Sequence, residues 1–319
     1  MMIPRRVLVA SLSASAATLA VAPAVRAALT RSHTIVAAIP ASSAAPAVLS
    51  PVPPPPLLQA GAATMPATAA ADLPTWQRHA IRQPVMDGKP AITIVIDDMG
   101  WMHPGTERAL ALPGPLTMSW FPFAPRLPEQ VAAGAARGHE ATLHMPMQVH
   151  SNSILQTGPD PLRIDLPPPI NLARLRAALD AVPNTVGLNN HMGTVATCDP
   201  ALMDLVAAET RARTMLFLDS IVIGKSVALA RAEAAGVPAA GRDHFIDWKM
   251  TPEAMHEEMA LIEARARRMG HVIAIAHPRG MTLDALEAWV PTLTAKGFAL
   301  WPLSTAVAMR NNITMPRLG

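Results

Sequence analysis

Two adjacent acids, Asp97 and Asp98, close the apolar run "AITIVIDDMG" at residues 91–100. Side by side, carboxylates repel each other and resist leaving water. A chain that puts them after a buried-looking run builds either a solvated turn capping a helix or a site that uses both acids. Other apolar runs also end in polar groups: His144 in "LHMPMQ", Asn189, Asn190 and His191 in "GLNNHMGT", Asp219 and Ser220 in "FLDS", His277 and Arg279 in "IAHPRG". Each alone has a bland local explanation as a cap, a turn or a packed imidazole. Their recurrence at equivalent places points instead to one site. A carboxylate with two imidazoles is a mixed oxygen and nitrogen donor set suited to zinc, or to nickel, cobalt or iron, with positions left for water and substrate. Beside such a cation, a second carboxylate can take a proton from water and a histidine opposite can protonate the departing group. That chemistry hydrolyses amides or esters without a Ser or Cys nucleophile. No G-x-S-x-G elbow is present, and Cys198 has no evident activating partner.

Positioning such groups requires a scaffold that aligns the ends of several strands. From residue 91 onward, short β-prone runs alternate with helical periodicity, the pattern of repeated βα units. The expected strands are "AITIVI", "LTMSWF", "EATLHM", "TVGLN", "MLFLD", "DHFIDW", "HVIAIA" and "FALWPL", with helices between them. Pro200 and Pro252 stand near helix starts, and Gly236, Gly270 and Gly297 follow helical stretches. Seven or eight such repeats suit an α/β fold of the (β/α) barrel type, which places its working groups at the C-terminal strand ends. An open doubly wound sheet is the runner-up, but it would normally carry a glycine-rich loop after its first strand, and here that strand runs into acids.

Composition divides the chain. Residues 1–30 join Arg5 and Arg6 to an apolar, small-residue stretch ending in "VRA", which describes a secretory signal with cleavage after Ala27. The alternative is an uncleaved N-terminal anchor that tethers the protein to a membrane. Either route predicts export to the periplasm or cell envelope. Residues 31–88 are rich in Ala and Pro and read as a disordered linker. The folded domain is expected at 89–310, with a tail at 311–319. A formal net charge of +3 with dispersed Lys and Arg disfavours nucleic-acid binding. One cysteine excludes an intrachain disulfide.

In this order, "IVIDDMG", "GHEATLHMPM", "GLNNHMGT", "FLDS" and "IAIAHPRG" resemble the divergent polysaccharide deacetylase family over roughly residues 90–310. The resemblance implies a NodB-like fold, a distorted (β/α) barrel of seven or eight repeats carrying a divalent metal. It also implies a metal-dependent deacetylase that removes N- or O-acetyl groups from a polysaccharide or peptidoglycan-like glycan. Carried over by motif, Asp97 is the general base, Asp98 and His144 are metal ligands, and His277 is the general acid. His191 is assigned as the third ligand, because the position four after His144, where better-known deacetylases have a second histidine, is Gln148. Asn189, Asn190, Asp219, Ser220 and Arg279 are assigned to substrate binding. The usual Arg-Pro motif is absent, and Val222 stands where relatives tend to carry Thr. These departures support a competing expectation, a non-catalytic envelope protein that uses the same cleft to bind glycan or a partner. Of the remaining polar residues, His139 is expected to be structural. One of Arg242, Asp243 and Asp247 could orient a ligand, and Trp101 or Trp120 could stack on a sugar.

Overall fold

The first strand, β1 (Ala91–Met99), is buried along nearly its whole length, as an unbroken apolar run requires when helices cover one face and a barrel interior the other. The computed structural model describes residues 72–315, apart from 82–86, 102 and 151–156. The expected signal segment and all but the end of the expected linker lie outside the described residues. No helix among the described residues is long and apolar enough to cross a membrane.

Eight further strands follow: β2 (Thr117–Trp120), β3 (Glu140–Met147), β4 (Gly187–Met192), β5 (Leu216–Asp219), β6 (Ala239–Gly241), β7 (His244–Phe245), β8 (His271–Ala276) and β9 (Ala299–Leu300). They lie in the order β6-β5-β4-β3-β2-β1-β8-β7, with parallel neighbours. The short β9 pairs with Ala91 and Ile92 of β1, below the stretch that pairs with β2. Between β6 and β7 no ladder forms among the described residues. Instead the chain steps across: the Arg242 N–H donates to Asp219 O on the β5 side, and the Asp243 N–H donates to Ile273 O on β8. The result is the expected (β/α) barrel, curled and left open along one seam.

The helices are α1 (Thr75–Arg78), α2 (His103–Ala111), α3 (Leu127–Ala136), α4 (Pro168–Ala181), α5 (Pro200–Ala212), α6 (Ala228–Ala234), α7 (Pro252–Met269), α8 (Gly280–Trp289) and α9 (Leu303–Arg310). Their ends follow local chemistry. The side chains of Asp199 and Thr251 accept from Leu202 N and Ala254 N, each just before a helix-starting proline, and Gly270 ends α7 in the left-handed conformation.

Alternation along β1 sorts the core into two parts. Ile92, Ile94 and Ile96 face the surrounding helices, whereas Val95 joins Val186, Leu216, Leu218, Ile273 and Ile275 in the barrel interior. That interior is closed from below by α9, through Leu303, Ala306 and Val307, and by Trp76 of α1, only 2% exposed. The folded domain therefore begins earlier than the expected Lys89. Thr75 N and Trp76 N both bond to Thr214, and a buried indole is incompatible with a disordered linker at that point. It also runs past residue 310, because Ile313 and Met315 pack on the same interior cluster.

Candidate metal centre

In a regular strand Asp97 and Asp98 would point to opposite faces. Here the β1–β2 register shifts between Ile96 and Met99, and Asp98 adopts a left-handed backbone with φ 57°. Aspartate tolerates that conformation better than most residues. The bulge turns both carboxylates into the barrel mouth. They line a cleft of about 200 Å³ with His144, His191, His277, Asn190, Ser220, Arg279, Met192, Val222 and Phe245.

Asp98, His144 and His191 converge. His144 Nε2 lies 3.2 Å and His191 Nδ1 3.1 Å from Asp98 Oδ1, and the two nitrogens are 3.1 Å apart. Three donors bound to one cation at about 2.0–2.2 Å stand roughly 2.8–3.6 Å apart, from octahedral to tetrahedral geometry. Hydrogen bonding explains the cluster less well. Asn189 Nδ2 donates to Asp97 Oδ1 (2.8 Å) and Ser220 Oγ (3.1 Å), which fixes its Oδ1 as the acceptor facing His144 Nδ1 at 3.0 Å. Neutral His144 therefore carries its proton on Nδ1 and turns the Nε2 lone pair toward the Asp98 carboxylate. Asp98 Oδ1 is buried and has no hydrogen bond of acceptable geometry. These residues fit a divalent cation: lone pairs meet where a donor would otherwise be needed.

Electrostatics separate the two acids. Burial acts to raise the pKa of Asp98, but the close approach of the His144 and His191 imidazoles outweighs it and holds the group far below the usual carboxylate range. For Asp97, which is only 2% exposed, burial prevails over His144, His277 and Asn189 and pushes the pKa up, with help from Asp98. The more basic carboxylate thus stands next to the ligand set, with Oδ2 3.7 Å from His144 Nε2.

Across the cleft, His277 Nδ1 bonds to Asp247 Oδ1 at 2.9 Å, and its backbone N–H donates to Asp247 Oδ2 at 3.0 Å. Thr282 Oγ1 donates to the same carboxylate. Burial lowers the His277 pKa, yet Asp247 and the more distant Asp98 and Asp97 raise it on balance. Asp247 is thereby the residue near the sixth expected strand that orients a site group. It stands just beyond a strand, like the other site residues, which was the available signal. Gly105 lets α2 abut this loop, since a Cβ there would meet Pro278 O at 2.0 Å.

Aromatic rings buttress both sides. Phe121 packs against His144 and His191 at centroid distances of 5.2 and 4.8 Å, and Phe245 stacks on His277 at 5.9 Å. Arg242 lies 3.7 Å over Phe245 while donating to Ser220 O and Ile221 O. These walls escaped sequence reasoning because an aromatic at a strand end reads as core.

Several expected substrate contacts need correction. Asn189 is fully buried and spends its side chain on Asp97, Ser220, His144 and Ser119, so it positions the site from beneath. Asp219 accepts from Ile221 N, Ser226 Oγ and Leu229 N, a turn-forming role away from the cleft. Asn190 and Ser220 reach the lining, but Asn190 bonds Met192 O and Ser220 N. Arg279 lies at the rim of the cleft. Gln148 accepts from Ile164 N and faces that loop, while His191 on the next strand completes the donor set. His139 bridges Leu116 N and Leu110 O, a structural role. Trp120 is core, whereas Trp101 is 47% exposed and packs edge-on against Phe121 and Phe123.

Comparison with known proteins places this arrangement. A sequence model described as "Divergent polysaccharide deacetylase" matches residues 94–307, more than half of the chain. An uncharacterized protein, YibQ, from Escherichia coli K12 is 31% identical over 214 residues, covering 67% of this chain and 66% of the relative, so the chain spans slightly under two thirds of that protein's length. An uncharacterized protein from Haemophilus influenzae is 32% identical, over 63% of this chain and 71% of its own length. The crystal structure of an uncharacterized Agrobacterium tumefaciens C58 protein, ATU2773, has a TM-score of 0.71 at 22% identity, covering 74% of this chain and 96% of that one, and it shares the fold. With the motifs, barrel and match in agreement, the chain belongs to the divergent polysaccharide deacetylase family.

Proposed function

We propose that the protein is a metal-dependent hydrolase of the cell envelope that removes acetyl groups, on nitrogen or oxygen, from an acetylated polysaccharide or peptidoglycan-like glycan. The observation that carries this reading is the convergence of Asp98, His144 and His191 between a basic buried carboxylate, Asp97, and the Asp247–His277 pair. Zinc suits the donor set best, with nickel, cobalt and iron as alternatives. When bound, such a cation polarises the acyl carbonyl and makes water more acidic. Asp97 accepts the proton of the attacking water through the oxygen that Asn189 leaves free. Asp247 fixes the proton of His277 on Nδ1 and favours the imidazolium, so Nε2 can deliver its proton to the departing amine or alcohol. Phe245, Val222 and Met192 supply an apolar wall for the acyl group. The charged, then apolar N-terminal segment supports export.

The test is metal analysis of the purified protein together with acetate release from acetylated glycans. Near-stoichiometric metal and released acetate, both lost in His144→Ala, are expected. A folded protein that takes up no zinc, nickel or cobalt and releases no acetate would overturn the proposal.

A further inference from the structure

Most arginines of the described domain have settled partners. Arg108 bonds Asp284 and Glu287, Arg163 bonds Asp165, Arg213 bonds Asp180 and Glu209, and Arg242 bonds two backbone carbonyls. Arg279 differs. Its side chain is 42% exposed and lines the cleft, two residues from His277. Its one hydrogen bond among the described residues goes to the sulfur of Met250, at 3.5 Å. The nearest carboxylate oxygen, Asp247 Oδ2, is 3.9 Å away and already accepts from His277 N and Thr282 Oγ1. A guanidinium carries five donors in a planar fork suited to a carboxylate or phosphate, and among the described residues no oxygen lies within hydrogen-bond distance of that fork.

Among the described residues, Arg279 is also the one Lys or Arg that lines the cleft. We propose that Arg279 is a specificity-determining residue: it binds an anionic substituent, a carboxylate in its simplest form, on the sugar that carries the scissile acetyl group. The inference rests on the deacetylase reading for the reaction but concerns recognition, so the two can fail separately. A neutral glycan would leave the fork hydrated, whereas an anion would form two charge-assisted hydrogen bonds at the rim of a partly desolvated cleft.

The test uses the full chain and a matched pair of probes, a carboxylate-bearing N-acetylhexosaminide and its methyl ester. Binding is followed by calorimetry, and acetate release is measured in parallel, for the parent, Arg279→Ala and Arg279→Lys. The parent is expected to bind the acid at least about tenfold more tightly than the ester, the scale of one charged hydrogen-bonded contact. Arg279→Ala should abolish that preference and Arg279→Lys should restore part of it, with metal content unchanged in both. Equal binding of acid and ester by the parent, a preference that survives in Arg279→Ala, or no measurable binding of the acid would each overturn the proposal. Arg279-dependent preference without acetate release would uphold it and count against hydrolysis. Acetate release equal for both probes and unaffected by Arg279→Ala would do the reverse.

Discussion

The two ends of the barrel use the same residue types to opposite purposes. At the mouth, Asp98 and His144 meet with lone pairs converging, and Asp98 Oδ1 lacks a proper donor. At the floor, the first residues of β3 and β8 are Glu140 and His271. Glu140 accepts from Ser304 N and Oγ and from Thr117 Oγ1. His271 bonds Thr93 Oγ1 and stacks on Trp301. An acid whose acceptors are met by protein donors is architecture, and one whose lone pairs are left to converge is prepared for a cation. The difference lies in the neighbours rather than in the residues.

That contrast predicts that mouth substitutions change metal and rate while floor substitutions change stability. The largest effect is expected at the donor set. Asp98→Ala and His144→Ala should lose bound metal by mass spectrometry, and Asp97→Asn should retain it while slowing acetate release by about 10²–10⁴-fold. All three should unfold within a few degrees of the parent. At the floor, Trp76→Ala should cost about 3–5 kcal/mol in chemical denaturation and leave metal stoichiometry intact. Parent-like stability would mean that α1 does not close the barrel.

Glu140 gives a pH signature. Burial, set against the hydrogen bonds of Ser304 and Thr117, pushes its pKa up to about 7 from an ordinary 4.5. The folded state therefore holds the proton more tightly than the unfolded chain. This contribution is fully present below about pH 4.5 and is lost as pH rises through 7. Glu140→Gln removes the titration, so the stability of the variant relative to the parent should climb by on the order of 3 kcal/mol between those limits. A pH-independent difference would break the comparison. The smallest effect is expected for Asp247→Asn, which weakens the support of a charged imidazole by about 10–100-fold in rate. Because Asp247 raises the His277 pKa, the alkaline limb of the rate profile should move to lower pH in this variant.

Much of the mouth was legible in the sequence because barrel geometry sends strand ends to one face, so Asp97, Asp98, His144, His191 and His277 could be gathered without a structure. Polar type alone could not show which strand-end groups are spent inside the protein. Asn189 and Asp219 look like site residues and act as supports. The floor was harder to read. α9 is buried on every side from Leu303 to Ala308 and so lacks the amphipathic stripe by which surface helices are found. Trp76 stands in Ala- and Pro-rich surroundings, and β6 is three residues without periodicity. The longer strands β1, β3 and β8 and the helices between them were expected because each had a run long enough to show its period.

The open seam between β6 and β7 divides the mouth into a side held by paired strands and a side held without them. Asp98, His144, His191 and His277 belong to β1, β3, β4 and the end of β8, all within one continuous hydrogen-bonded ladder. Val222 and Phe245 both line the cleft near the break, where Arg242 lies over the Phe245 ring and donates to Ser220 O and Ile221 O. Lengthening or shortening the chain at that break would reshape this side of the cleft like an adjustable jaw, while the strands that carry Asp98, His144 and His191 keep their register.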